Sequence, residues 1–368
     1  MIVSSYLEAL PRWRNSLHRT VVNVALTAAT AILLSGAPAR AGILIPLAPI
    51  PGSSSTTLEG INESSQIDGY YDTADGLSHG FIGDLNGNYI SFDASPTGTL
   101  VHGLNNDGYV TGLTLQPGRT PGYAFVRHPD GSILTVTKDG EGIVGDADGI
   151  IKNNIFVGYI LQITNDLYQY GYYGKGHTYR ADLTLPFNTH RTLPRGIIKS
   201  GEVVGSFADL DHPEKHYYGF ILKDGLATRI DYPDPDATYQ HLYGLNDKET
   251  IVGAWQNEEG TAEHAFIYDF AKNRFKLIEV PGAAFVAALG INDAGLITIT
   301  ADGNPYVYCS KPKKECPAGA LPSLEVSDRW VNGPASNLEA VACRNGCVGP
   351  WKVDLDHRFP SQRTSGAR

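Results

Sequence analysis

A Gly-Ile-Asn element returns six times along this chain, and that recurrence constrains the fold more than any other feature. It stands at Gly60-Ile61-Asn62, Gly103-Leu104-Asn105, Gly149-Ile150, Gly196-Ile197, Gly244-Leu245-Asn246 and Gly290-Ile291-Asn292. The starts lie 43, 46, 47, 48 and 46 residues apart. Nine residues after the first Gly of five copies comes a second: Gly69, Gly112, Gly158, Gly205 or Gly253. The sixth copy has Ile299 there. Periods of this size belong to stacked supersecondary units that cannot bury an apolar face alone.

Each copy reads as four short strands. The first holds the Gly-Ile-Asn element and the second ends on the Ile-Val-Gly-like segment. Between them, the fifth position after the Gly is Ser65, Gly108, Asn154, Gly201, Glu249 or Gly295. Gly and Asn tolerate positive φ, so four of the six fit a left-handed turn residue. The third strand carries the triplets His79-Gly80-Phe81, Tyr123-Ala124-Phe125, His177-Thr178-Tyr179, Tyr218-Gly219-Phe220, His264-Ala265-Phe266 and Tyr306-Val307-Tyr308. The fourth alternates apolar residues, as at Ile230–Pro233 and Leu277–Gly282. Four strands at a period near 46 predict propeller blades. An open β-solenoid is the rival, and the chain ends decide between them. No fourth strand follows the sixth copy, but Ile45–Gly52 resembles the segment that ends at Pro281-Gly282, and each lies nine residues before its Gly. The prediction is an all-β, six-bladed β-propeller with four-stranded blades, closed by the N-terminal strand. Composition agrees: Gly is 41 of 368 residues and charged residues are only 18%, which disfavours helical bundles.

These motifs resemble the bacterial extracellular HAF-repeat family, named for a triplet present at His264-Ala265-Phe266. Its units share the Gly-Ile-Asn opening, the Ile-Val-Gly strand of Ile251-Val252-Gly253 and the close at Pro281-Gly282. The resemblance covers about residues 43–309, and its specificity lies in the recurrence. Ile151 and Ile198 depart from it in copies 3 and 4, where the Asn-dependent turn hydrogen bond is in question. The resemblance implies export and a repeat scaffold, and it implies no activity.

Residues 1–41 read as a signal peptide. Arg12, Arg14 and Arg19 precede an apolar run from Val21 to Gly36, and Ala39-Arg40-Ala41 supplies the cleavage pattern before Gly42. The run is too short to span a bilayer, so no membrane span is expected after cleavage. The expected address is secreted or periplasmic, and a monomer is expected. The domain plan is then 1–41 signal peptide, 42–309 propeller and 310–368 tail. Four arginines against Glu8 make the leader +3, which takes the formal −10 of the whole chain to −13 for the remainder. Such an acidic surface repels phosphate backbones and excludes nucleic acid as a partner. The four cysteines, Cys309, Cys316, Cys343 and Cys347, read as two disulfides of undetermined connectivity in an exported chain; a zinc site is the rival.

Candidate functional residues fall into three groups. His79, Tyr123, His177, Tyr218, His264 and Tyr306 recur at one repeat position, which assigns them a structural role with an aromatic body and a hydrogen-bonding tip. Asp209, Asp211, His212 and Glu214 form a loop whose oxygen ligands at alternate positions suit calcium, though it lacks the Gly and terminal Glu of a dedicated calcium loop. No cofactor is expected, with calcium possible at this loop, where the His residues could instead favour zinc or copper. Tyr168, Tyr170, Tyr172 and Tyr173, with Trp255, are a candidate ligand surface or the packing of a long hairpin. Nucleophile-elbow, His-Glu-x-x-His and phosphate-loop motifs are absent. The expected function is a secreted non-enzymatic binding or scaffold module for a glycan or a protein. The alternative is a secreted glycan hydrolase or lyase with its site at the channel mouth. That alternative requires two carboxylates roughly 5–10 Å apart.

Overall fold

The structure is a computed structural model that describes residues 42–163, 167–311, 315–317, 324–326 and 330–343. The expected signal peptide and Cys347 lie outside the described residues.

The described chain is all-β, in a propeller-like arrangement. β1 (Gly42–Pro46) comes first. β2 (Ser53–Ile61), β3 (Gln66–Thr73), β4 (Ser78–Asp84) and β5 (Tyr89–Phe92) form one antiparallel sheet. β6 (Thr99–Leu104), β7 (Val110–Gln116), β8 (Thr120–Arg127) and β9 (Ile133–Thr135) form the next. The short β10 (Thr137–Lys138) and β11 (Glu141–Gly142) lead into β12 (Gly145–Ile151), β13 (Ile155–Ile163), β14 (Leu167–Lys175) and β15 (Thr178–Leu183). β16 (Arg191–Ile197), β17 (Val203–Ala208), β18 (Tyr218–Lys223) and β19 (Leu226–Ile230) belong to the same eleven-stranded sheet. β20 (Tyr239–Leu245), β21 (Thr250–Gln256), β22 (Glu263–Asp269) and β23 (Arg274–Ile278) follow. β24 (Val286–Ile291), β25 (Leu296–Ala301) and β26 (Asn304–Cys309) complete the repeats.

Two expectations need correction. Six four-stranded blades were expected, but the described residues form five sheets: four of four or five strands and one of eleven. The cause is the long β13–β14 hairpin, whose Gln169 reaches a parallel bridge with Arg191 of β16 and so joins the third repeat to the fourth. The third repeat also lacks a fourth strand of its own. β10, from upstream, pairs parallel with β15 at Thr137 and Thr178. Residues beyond β15 turn away, because Phe187 stacks on Phe207 of the fourth repeat at 4.6 Å.

The N-terminal strand does pair with the last repeat. Ile43 faces Cys309 and Pro46 faces Tyr306, antiparallel. It begins earlier than expected, at Gly42, and Leu47–Gly52 run on as a connection. Ile43, Leu44 and Ile45 are buried, which is what an N-terminal strand needs to stay docked.

The turn chemistry holds in every copy. Ser65, Gly108, Asn154, Gly201, Glu249 and Gly295 all have positive φ, from 55° to 91°. At Asn62, Asn105 and Asn246 the side-chain Oδ1 accepts backbone N–H groups two and four residues on, as Asn105 does from Asp107 and Tyr109, and Asn292 accepts from Leu296, four on. Its Nδ2 donates to the next repeat: Asn62 to the Asn105 carbonyl, Asn105 to that of Ile151, Asn246 to that of Asn292 and Asn292 to that of Asn62.

Apolar clusters lie between successive repeats. Val101, Val110 and Phe125 pack against Ile82 and Phe92 of the sheet before them. Leu58, Ile61, Ile67 and Phe81 of the first repeat pack with Leu296, Val307 and Cys309 of the last. The third residue of each third-strand triplet fills this core: Phe81, Phe125, Phe220, Phe266 and Tyr308 are buried, and Tyr179 is half-buried.

The tail adds outer strands. β27 (Leu324–Val326) pairs with β1, β28 (Trp330–Asn332) with β23, and β29 (Ala340–Ala342) with β19. The tail segments therefore run along sheet edges, where they cover unpaired backbone groups. Cys309 and Cys316 form a disulfide, and Cys343 is also disulfide-bonded. Among the described residues no helix is long and apolar enough to cross a membrane.

Candidate functional site

The residue just before each repeat Gly defines a site that the motif search passed over. These residues are Glu59, His102, Asp148, Arg195, Tyr243 and Leu289. Each inner strand changes register at or beside this residue: between Leu58 and Ile61, Val101 and Gly103, Ala147 and Ile150, Pro194 and Gly196, Leu242 and Gly244, and Ala288 and Ile291. A bulge bends its strand and re-aims a side chain. The Gly that follows lets neighbouring backbones touch. A Cβ on Gly103 would sit 2.5 Å from the Asp148 carbonyl, one on Gly149 2.5 Å from that of Arg195, and one on Gly290 2.6 Å from that of Glu59. Only Gly fits such an approach.

The first four of these side chains, with Asp146, meet in one charged cluster. Glu59 Oε2 lies 3.7 Å from His102 Nδ1, and His102 Nε2 lies 3.3 Å from Asp146 Oδ2. Arg195 Nη1 bonds Asp148 Oδ1 at 2.5 Å and lies 3.6 Å from Asp146 Oδ2. Aromatic rings surround it: Tyr70 lies edge-on to His102, and the Arg195 guanidinium faces Tyr159 and Tyr243. Tyr172 donates its hydroxyl to the Asp146 carbonyl at 3.0 Å. Asp146 and Asp148 are 1% and 2% exposed, whereas the His102, Glu59 and Arg195 side chains keep 12%, 13% and 20%.

Burial and like charge tune the group. Desolvation, reinforced by Asp148, pushes the Asp146 carboxyl up to about 7. For His102, burial pulls down but the Asp146 and Glu59 carboxylates prevail, and the imidazole rises to about 9. Nearby, burial raises Asp68 and Glu263 to about 7, and lowers His241 to about 3. Buried charges are costly, so a concentration of them with displaced pKa values marks a functional site more often than a structural one.

The sequence-derived candidates are dispersed. Tyr172, Tyr173 and Trp255 are buried, Trp255 between His264 and Tyr232. Tyr168 and Tyr170 stack on each other at 5.9 Å, and Tyr170 is exposed. In the Asp209–Glu214 loop the ligands diverge. Asp209 faces Arg229, Asp211 accepts from Asn188, and Glu214 pairs with His212 and accepts from Tyr218. Asp209, Asp211 and His212 help to line a cavity of ≈ 320 Å³ with Arg229, Asn188 and tail residues. The recurring His/Tyr position is not uniform. Tyr218 is buried and donates to the His212 carbonyl, and His79 pairs with Asp93; Tyr123 and His177 are exposed. His264 stacks on Trp255, and Tyr306 packs against the last core cluster.

No protein-family model and no curated protein matches the chain. Several solved structures are similar to it. A gluconolactonase from Xanthomonas campestris is 14% identical over 77% of this chain and 98% of its own, at a TM-score of 0.45. Virginiamycin B lyase from Staphylococcus aureus, with quinupristin, is 12% identical over 72% and 98%, at 0.42. The WD40 β-propeller domain of Doa1 is 10% identical over 75% and 99%, at 0.39.

Proposed function

We propose that this chain is an exported HAF-repeat protein whose six repeats form the blades of a closed propeller, and that it acts as an extracellular binding module working through the axial cluster. The eleven-stranded sheet counts as two blades joined by the Gln169–Arg191 bridge. Support for closure comes from the β1–β26 pairing, the core shared by the first and last repeats, and the Asn292 bond to Asn62. Residues 1–41 are the leader, the mature protein is a monomer, and its address is secreted or periplasmic.

One observation carries the functional reading. The residue before each repeated Gly differs in all six copies, and four of these side chains with Asp146 make a buried Glu59–His102–Asp146–Arg195–Asp148 network. Both Asp carboxylates lie at the Arg195 guanidinium, an arrangement that holds a ligand-facing surface rigid. A glycan or a protein epitope is the expected ligand. The alternative, a glycan hydrolase or lyase, draws on one specific feature: Asp146, raised to about 7, lies close to His102, raised to about 9, two titratable groups in contact, while the Asp146 and Asp148 carboxylates approach within 4.8 Å, closer than the pair such chemistry requires.

A panel of neutral and acidic oligosaccharides, read by thermal shift and product analysis, separates the readings. Binding without cleavage, weakened by Glu59→Gln and untouched by Tyr168→Ala/Tyr170→Ala, is the expected result. Cleavage lost in Asp146→Asn would establish the alternative. Binding lost only in the tyrosine variant would place the site on the hairpin and overturn both.

A further inference from the structure

We propose that His102, Asp146 and Asp148 form a site for one divalent first-row transition ion, Zn²⁺ or Mn²⁺, at the centre of the axial cluster. Each offers a ligand atom, and these atoms lie within 4.8 Å of one another. Donors that share one ion at about 2.0–2.2 Å stand up to about 4.4 Å apart, so small side-chain adjustments complete the set.

The hydrogen-bond inventory points independently to the same place. Asp146 Oδ1 and Asp148 Oδ2 are buried without a hydrogen-bond partner, and buried His102 Nε2 has only its 3.3 Å approach to Asp146 Oδ2, with no hydrogen bond. An orphaned carboxylate oxygen at 1% or 2% residue exposure carries an uncompensated desolvation cost, and a cation between the three atoms would remove it. Arg195 lies at Asp148 Oδ1 and Asp146 Oδ2 and leaves Asp148 Oδ2 and Asp146 Oδ1 to the ion.

The surroundings suit the ion. With His102 neutral, as a ligand must be, Glu59, Asp146 and Asp148 against Arg195 leave two negative charges for a 2+ ion to cancel. Glu59 sits at His102 Nδ1, where a carboxylate fixes the tautomer that leaves Nε2 free to ligate. One imidazole with two carboxylates selects a borderline ion over calcium or magnesium, which take all-oxygen shells. The partly exposed His102, Glu59 and Arg195 side chains give the ion a way in. This site is separate from the Asp209–Glu214 loop and stands whether or not a glycan binds nearby.

The test is calorimetric titration of chelator-stripped full chain with Zn²⁺, Mn²⁺ and Ca²⁺ alone, with the Co²⁺ absorption spectrum reporting imidazole ligation. The proposal expects one equivalent of Zn²⁺ or Mn²⁺, a ligation band lost in His102→Gln, and at least tenfold weaker binding in Asp146→Asn. That second variant keeps the volume of the side chain and removes a buried charge, so it should fold; near-UV circular dichroism checks it. Asp209→Asn/Asp211→Asn should bind like the wild type. Failure of folded wild type to bind stoichiometrically, a preference for Ca²⁺, or full affinity in Asp146→Asn would overturn the proposal and leave an ion-pair network only.

Discussion

Asn292 donates its side-chain amide to the backbone carbonyl of Asn62 at 3.1 Å, across 230 residues of chain. The same bond links Asn246 to Asn292 and Asn62 to Asn105, so the join between last and first repeats is chemically the same as those inside the array. Beside it, Asp293 donates its backbone N–H to Glu63 at 2.9 Å. Asn292→Ala should therefore cost about as much as Asn246→Ala. Each loses its buried amide bond and the turn bonds to its Oδ1, two at Asn246 and one at Asn292, about 1–3 kcal/mol. Urea midpoints of the two variants check this; a neutral Asn292→Ala would mean that the joint carries no load.

Positive φ at Ser65 and Glu249 sets up the opposite sign. Both are non-Gly residues held in the left-handed region, at 59° and 58°. Ser65→Gly should stabilise the fold by about 0.5–1 kcal/mol, because it relieves a backbone penalty of about that size. Gly108→Val at the matching turn should destabilise by at least as much. Glu249→Gly is a poorer test, because Glu249 also pairs with Lys223.

Acidity should act on stability in an unusual direction. Burial lifts Glu263 and Asp68 to about 7 against the hydrogen bonds from Gln256 and Gly60, with Glu59 adding like charge and His102 opposing it at Asp68. Unfolded, both groups return to their ordinary values near 4. Between pH ~4 and ~7 the folded state thus holds protons that the unfolded state has released. Stability should fall as pH rises through that window, the reverse of a paired surface carboxylate. Urea midpoints at pH 5 and pH 8 should show it, and Glu263→Gln should flatten part of the slope.

Truncating Leu44 tests the N-terminal strand. It is fully buried in the cluster with Val286, Ile297 and Tyr308. Leu44→Ala should cost about 2–5 kcal/mol, the range for a buried leucine with a residual cavity. A loss below about 1 kcal/mol would mean that the strand is dispensable.

Much of this fold is written locally. The Gly-Ile-Asn spacing gave the repeats, and the fifth position after each Gly gave the left-handed turn even where Ser65 and Glu249 stand in for Gly. Strand ends were less legible. Apolar alternation continued into Leu47–Gly52 and beyond Ile230 to Pro233, where proline removes ladder donors and the chain has already left the sheet. The Tyr-rich insertion read first as hairpin packing and second as a ligand surface; Tyr172 and Tyr173 are buried in the hairpin and Tyr170 is exposed. The charged cluster was hidden for a different reason. Glu59, His102, Asp148 and Arg195 lie in four different repeats, so no window of sequence contains them together. The signal was the column before the repeated Gly, where Glu, His, Asp, Arg, Tyr and Leu break an otherwise regular pattern. Asp146, two residues ahead of Asp148, could be found only once the bulge was known.

The contacts between the last and first repeats are what the proposed closed ring rests on, and one distance tests closure directly. Spin labels on Glu63→Cys and Asp293→Cys in the full chain report the gap between the first and last repeats. In a closed ring these turns adjoin, and the measured distance should be under about 20 Å once label arms are allowed for. An open stack of the same repeats, at about 10 Å per packed sheet, would put the labels near 50 Å and contradict the account.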